Sequence, residues 1–227
     1  MMTRFPARHK VPEFSTFAPL LRMTTKYGFS DVRDQLIGDL KGAYPTKWED
    51  FRNAKVLGED VFGSPRPHPN AVLNLFETQG LKFAIPFAAY RASTGGFLAL
   101  MSDKPGAVLP RRTLATTIYG MRILRSMVAH SARMIAYSGD LWVCPDNTCT
   151  LGVVTNPIKL RLEAMEKIYE AMVTQRKGGA LTPPRLDHLL CEKCVKSVAE
   201  TLAEYGSICW MKLATVFNVS DCWGDLS

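Results

Sequence analysis

No stretch of this 227-residue chain approaches the roughly 18 consecutive apolar residues that a membrane-spanning helix requires. The most apolar region, 83–101, is interrupted by Pro86, Arg91 and the pair Gly95-Gly96. The N-terminus, Met1-Met-Thr-Arg-Phe-Pro-Ala-Arg-His-Lys10, lacks the apolar run of a secretory signal and is broken by Pro6. The expectation is an intracellular protein, cytoplasmic or nuclear, with no membrane partner. In a reducing compartment its six cysteines are expected as thiols or metal ligands rather than disulfides.

Catalytic signatures are missing as well. There is no Gly-x-Ser-x-Gly, no phosphate-binding loop and no His-Glu-x-x-His. The four histidines, His9, His68, His130 and His188, sit in no recognisable motif, and the carboxylates are scattered. Nothing supports an enzyme, and none is expected. Strand-type alternation is nearly absent, and no segment repeats at a fixed period.

What is present is helical patterning in a globular composition, 47% hydrophobic and 22% charged. Phe17, Leu20, Leu21 and Met23 predict a short apolar helix over 15–25, ended by Gly28. Ser30 is a candidate N-cap for a second, with the stripe Val32, Leu36, Ile37 and Leu40. Thr46-Lys-Trp-Glu49 is a capping box ahead of Trp48, Phe51, Ala54 and Leu57. Alternating prolines over 63–69 make a rigid connector. Short helices are predicted over 70–79, burying Val72, Leu73, Leu75 and Phe76, and over 82–92. The longest pattern runs over 110–137 through Leu114, Ile118, Met121, Leu124, Val128 and Ile135, slightly weakened by Gly120. Asn156-Pro157 opens a further helix, and a last one runs over 194–217. The fold class is all-α: an irregular multi-helix bundle with a zinc-stapled C-terminal part. Its divisions are a basic arm at 1–14, helices at 15–42, a helical core at 43–140, and a C-terminal helical part at 141–227.

The staple is read from two cysteine pairs, Cys144-x4-Cys149 and Cys191-x2-Cys194. Short pairs on separate turns can converge into one tetrahedral thiolate site for structural Zn2+. Two other readings stand beside it: inert buried thiols, and a CxxC redox pair without the usual βαβ context. Cys209 and Cys222 have no paired spacing and are expected in the core.

Charge is distributed unevenly. The net formal charge is +7, and no acidic residue occurs over 111–138. At about 100° per residue, Arg111, Arg122, Arg125 and Arg133 fall in one arc of roughly 80°. That stripe suits an acidic partner or the phosphates of nucleic acid. The plainer reading is a solvated face paired with acids elsewhere in the fold. Nucleic acid is not the expected partner.

Three stretches together resemble a family. They are Phe17-Ala-Pro-Leu-Leu-Arg-Met-Thr-Thr-Lys-Tyr-Gly-Phe-Ser-Asp-Val-Arg-Asp-Gln-Leu36 with Ala43-Tyr-Pro-Thr46; Lys55-Val-Leu-Gly-Glu-Asp-Val-Phe-Gly63; and Cys191-x2-Cys194 with Cys209-Trp-Met-Lys-Leu-Ala-Thr-Val-Phe217 and Trp223-Gly-Asp-Leu226. They are similar to the region after the BTB/POZ domain in fungal, mushroom-type BTB domain-containing proteins. The resemblance makes 15–42 the helices that leave a BTB fold. About 16 residues precede the resemblance, so the expectation is a helical extension with the BTB fold missing or truncated. It implies a non-enzymatic adaptor that binds other proteins. A cullin-3 type ubiquitin ligase is a partner by resemblance alone. The partner's identity and the oligomeric state stay open.

Overall fold

The computed structural model describes residues 11–41, 44–53, 58–137 and 192–217. Among the described residues the secondary structure is helical, with no strand, as the missing alternation predicts. Expectations for 138–191 and 218–227, including the helix opened by Asn156-Pro157, lie outside the described residues.

Helix α1 (Phe14–Tyr27) buries Phe17, Ala18, Leu21 and Thr24, an i, i+4, i+7 arc with Ala18 beside it. The arc is set by Phe62, at the end of a 3-10 turn (Gly58–Phe62), whose ring lies 5.2 Å from Phe14 and 5.3 Å from Phe17. Leu20 and Met23, expected on the buried face, are exposed instead. Gly28 ends the helix in the left-handed region at φ 72°, its N–H donating to the Thr24 carbonyl. Helix α2 (Ser30–Lys41) buries Leu36 and Leu40, while Val32 at the start of its predicted stripe stands in solvent. Helix α3 (Trp48–Asn53) follows the capping box and buries Trp48 and Phe51; Ala54 and Leu57 lie outside the described residues.

Helix α4 (Pro69–Thr78) has proline in its first turn and His68 as cap, whose Nδ1 accepts the Asn70 N–H at 3.2 Å. All four apolar positions predicted for it are buried. Helix α5 (Ile85–Thr94) follows a 3-10 turn (Lys82–Ala84) that takes the first residues expected of one continuous helix. Pro86 lies in its first turn, where the missing N–H costs no hydrogen bond. Pro86, Phe87, Ala88, Ala89, Ala92 and Ser93 are buried. A helix apolar on nearly every side belongs in the middle of a fold, and α5 packs against both α4 and the long helix α7 (Arg111–Tyr137). The sequence predicts this helix only as one short element over 82–92 within the core at 43–140, without its central place. Its alanines make a shallow surface that lets neighbouring helices approach closely.

The one-turn helix α6 (Phe97–Leu100) leads into α7. The C-terminal part is helix α8 (Glu192–Met211) and a separate turn α9 (Leu213–Val216), rather than one helix to Phe217. Two contacts tie this part to the rest. Trp210 stacks on Phe51 at 4.6 Å and 28°, lies 5.6 Å from Phe87, and donates its Nε1–H to the Thr46 carbonyl at 3.0 Å. Phe217 lies flat on α7 at Gly120, where any Cβ would overlap Cδ1 and Cε1 of its ring. Gly120 is therefore the socket of a long-range contact rather than a mild helix weakness.

Trp210→Ala should cost about 3–5 kcal/mol, because it removes a large buried ring and leaves the Thr46 carbonyl without its donor. Urea unfolding measures it, and a loss below about 1 kcal/mol would dismiss the interlock. Helix propensity alone gives Gly120→Ala a gain of about 1 kcal/mol; steric overlap predicts a net loss instead. Phe217→Leu in the same chain should recover part of that loss, and a stabilised Gly120→Ala single variant would refute the socket.

Candidate functional site: a groove and a cationic face on the long helix

Where α7 and α8 meet, their side chains enclose a groove of about 390 Å³. The half-buried Ile123, Met127, Tyr205 and Cys209 line it together with the exposed Ser126, His130, Ile208 and Lys212. Residues 123, 126, 127 and 130 recur at i, i+3, i+4 and i+7, so one face of α7 supplies half the lining. The other half comes from the same spacing on α8, which continues into the turn at Lys212. No carboxylate lines it among the described residues.

Burial pushes the Cys209 thiol up, partly opposed by the Lys212 ammonium. The thiol is therefore favoured over the thiolate, the form a nucleophile or redox cysteine needs. Behind it, Tyr90 is pushed up to about 12, first by burial, with Arg91 pulling down and Cys209 adding to the rise. Both groups prefer their neutral state, which suits an apolar wall.

The face of α7 adjacent to the groove carries Arg111, Arg122 and Arg125, with Arg112 at the start of the helix on the groove's own arc. Arg111, Arg112, Arg122 and Arg125 are exposed, and none of them forms an ion pair with a described residue. The expectation of pairing with acids elsewhere in the fold is not met there. Arg133 lies on α7 by its backbone, and its side chain is outside the described residues. The charge is more concentrated than the stripe indicated. Between positions 78 and 139 stand eight lysines and arginines and one acid, Asp103. That surplus of seven equals the surplus of the whole chain, so the remaining residues carry twenty of each sign.

The proposed zinc ligands are not brought together in view. Cys144, Cys149 and Cys191 lie outside the described residues, as does the side chain of Cys194, whose backbone occupies the first turn of α8. The groove escaped the sequence reading because it joins residues about 80 positions apart. A signal existed: Ile123, Met127 and His130 form a second arc beside the core stripe of α7, too wide for one apolar neighbour.

A tyrosine held neutral by burial stabilises the fold below its unfolded value and loses that contribution as pH rises toward its folded value. For Tyr90 the window runs from 10.0 to about 12. Unfolding midpoints taken across that window should fall more steeply for the parent chain than for Tyr90→Phe. Parallel curves would remove Tyr90 as the cause. Alkylation of Cys209 at neutral pH, followed by peptide mass spectrometry, should be slower in the folded protein than in urea.

Compared with known proteins, the chain matches no family model, no curated protein and no solved structure. The BTB/POZ resemblance therefore rests on the quoted motifs alone.

Proposed function

We propose that this chain is a non-enzymatic, helical protein–protein interaction module that receives an acidic segment of a partner on α7. The observation that carries it is the exposed row Arg111, Arg122 and Arg125, on a helix without an acid and without described ion-pair partners. Cations with no ion-pair partner among the described residues can pair with carboxylates of another chain, which gives specificity and rapid association. The groove on the adjacent face offers apolar side chains of that segment a place to bury. An adaptor of the BTB/POZ type, acting in the cytoplasm or nucleus, is consistent with this surface, and a cullin-3 type ligase follows from the family resemblance alone. Cys144, Cys149, Cys191 and Cys194 are proposed to hold a structural Zn2+ that fixes the C-terminal part onto α7 and thereby shapes the groove.

The same row of arginines serves an alternative, a nucleic-acid contact, and salt dependence separates the two. A fluorescent amphipathic peptide rich in glutamate and a mixed-sequence DNA duplex are titrated against the full chain. The peptide should bind, and Arg122→Glu with Arg125→Glu should weaken it by about tenfold or more while leaving the helical signal intact. Tighter DNA binding, with a steep loss between low and moderate salt, would replace the protein-partner reading. Peptide binding indifferent to both charge reversals would end it. Metal analysis tests the staple: about one zinc per chain, and a melt lowered by chelator and by Cys194→Ser, is the expected result.

A further inference from the structure

Four large apolar side chains stand in solvent between positions 97 and 108: Phe97 at 52% exposure, Leu98 at 87%, Met101 at 52% and Val108 at 59%. Between them Leu100, Ala107 and Leu109 are buried. The segment is thus folded onto the core, and a fixed subset of positions faces outward.

Asn70 explains why the segment holds this shape. Its side chain is fully buried, and its Nδ2 donates toward the carbonyls of Ala99, Leu100 and Ala107, each at 3.1 Å. Carbonyls that converge on one nitrogen lie no more than about 6 Å apart, so the two limbs of the loop run side by side and Val108 stands next to α6. Gly96 at φ 82° and Gly106 at φ 77° make the bends at either end. The apolar tip is preorganised, and its exposure does not come from a loose backbone. Contiguous exposed apolar surface on a well-packed loop marks a contact site.

Charge around the tip selects the kind of surface. Lys104, Arg111 and Arg112 are exposed beside it, against two nearby acids, Asp103 in the loop and Glu77, whose carboxylate accepts the Thr113 hydroxyl in the first turn of α7. We infer that this tip and the adjoining end of α7 dock on an anionic lipid surface. The apolar residues enter the boundary of the acyl region, while the cations sit at the level of the phosphates. An acidic protein would answer the charges but would also need a groove matched to four projecting side chains. A bilayer accommodates a projecting apolar tip without such a match. A contact of this kind needs no spanning helix, and no described helix is long and apolar enough to be one. The expectation of no membrane partner rests on the absence of a spanning run and of a secretory signal, neither of which bears on surface docking. This contact shares Arg111 with the row proposed for the protein partner, and what distinguishes it is the apolar tip at Phe97, Leu98, Met101 and Val108.

The test is co-sedimentation of the full chain with vesicles of phosphatidylcholine alone and of phosphatidylcholine with about one third phosphatidylserine. The chain should sediment with the anionic vesicles and much less with the neutral ones. Phe97→Ser with Leu98→Ser should lower binding by about fivefold or more without moving the melting temperature, since both side chains are exposed. Using serine rather than an acid separates loss of apolar contact from repulsion. If that double variant melts early, Leu98→Ser alone gives the same reading with less disturbance. Absence of binding to anionic vesicles would overturn the inference. Binding unchanged in the serine variants but abolished by salt would also overturn it, showing charge adsorption without the tip.

Discussion

The described fold depends on one indole. Trp210 fills the space between α3 and α5, and its hydrogen bond to Thr46 spans 164 positions of sequence. Around it Trp48, Phe51 and Phe87 form a continuous aromatic contact, and Phe87 passes that contact on to Tyr44 at 5.7 Å. Aromatic pairs of this sort add about 0.5–1.5 kcal/mol each beyond the area they bury. Closing so long a loop is entropically costly, and the cluster supplies many contacts at the one point where it closes. It adds to the contacts that hold α8 beside α7 and so supports one wall of the groove between them.

Phe217 on Gly120 is the second point of the same closure, and it shows what a glycine does inside a helix. Its cost in conformational entropy is about 1 kcal/mol, and what it permits is the approach of a ring to the helix backbone. Two attachments, one at each end of the segment from Trp210 to Phe217, fix both the position and the rotation of α8. Rotation matters because Tyr205, Ile208 and Cys209 face α7 only in that setting. The groove is therefore a consequence of the aromatic interlock and does not exist as a local feature of either helix.

Much of this architecture was legible because long, periodic segments announce themselves. The buried Met121 and Leu124 of α7, with Leu114 and Ile118 packed against the core beside them, and the four buried positions of α4 follow directly from spacing; the side chains of Val128 and Ile135 lie outside the described residues. Shorter helices were legible in extent but not in orientation. In α1 the residues Leu20 and Met23 are as apolar as Leu21, and only the position of Phe62 decides which arc is buried. The central role of α5 was hidden because alanine carries little hydrophobic weight, whereas in a crowded centre its small size is what fits. Asn70 reads as an ordinary cap-region residue, and its three carbonyl partners lie 29 to 37 positions away. Gly120 illustrates the same limit: propensity is a property of the helix alone, and the ring that needs the glycine comes from the far end of the chain.

The cationic surface can be weighed against folding itself. Arg111 and Arg112 begin α7, where the helix dipole is positive and an acid would be worth about 0.3–1 kcal/mol. Arg122 and Arg125 stand at i, i+3, a like-charge spacing that disfavours the helix by a few tenths of a kcal/mol. At the start of α7 the acid comes from α4, where the Glu77 carboxylate accepts the Thr113 hydroxyl, whereas Arg122 and Arg125 have no ion pair among the described residues. Elsewhere the chain follows the local rules, with proline in the first turn of α4 and α5 and a left-handed glycine after α1. A sequence that keeps those rules in most helices and sets like charges at Arg122 and Arg125 gains nothing in stability there. Departures of that kind concentrate where a surface serves another molecule.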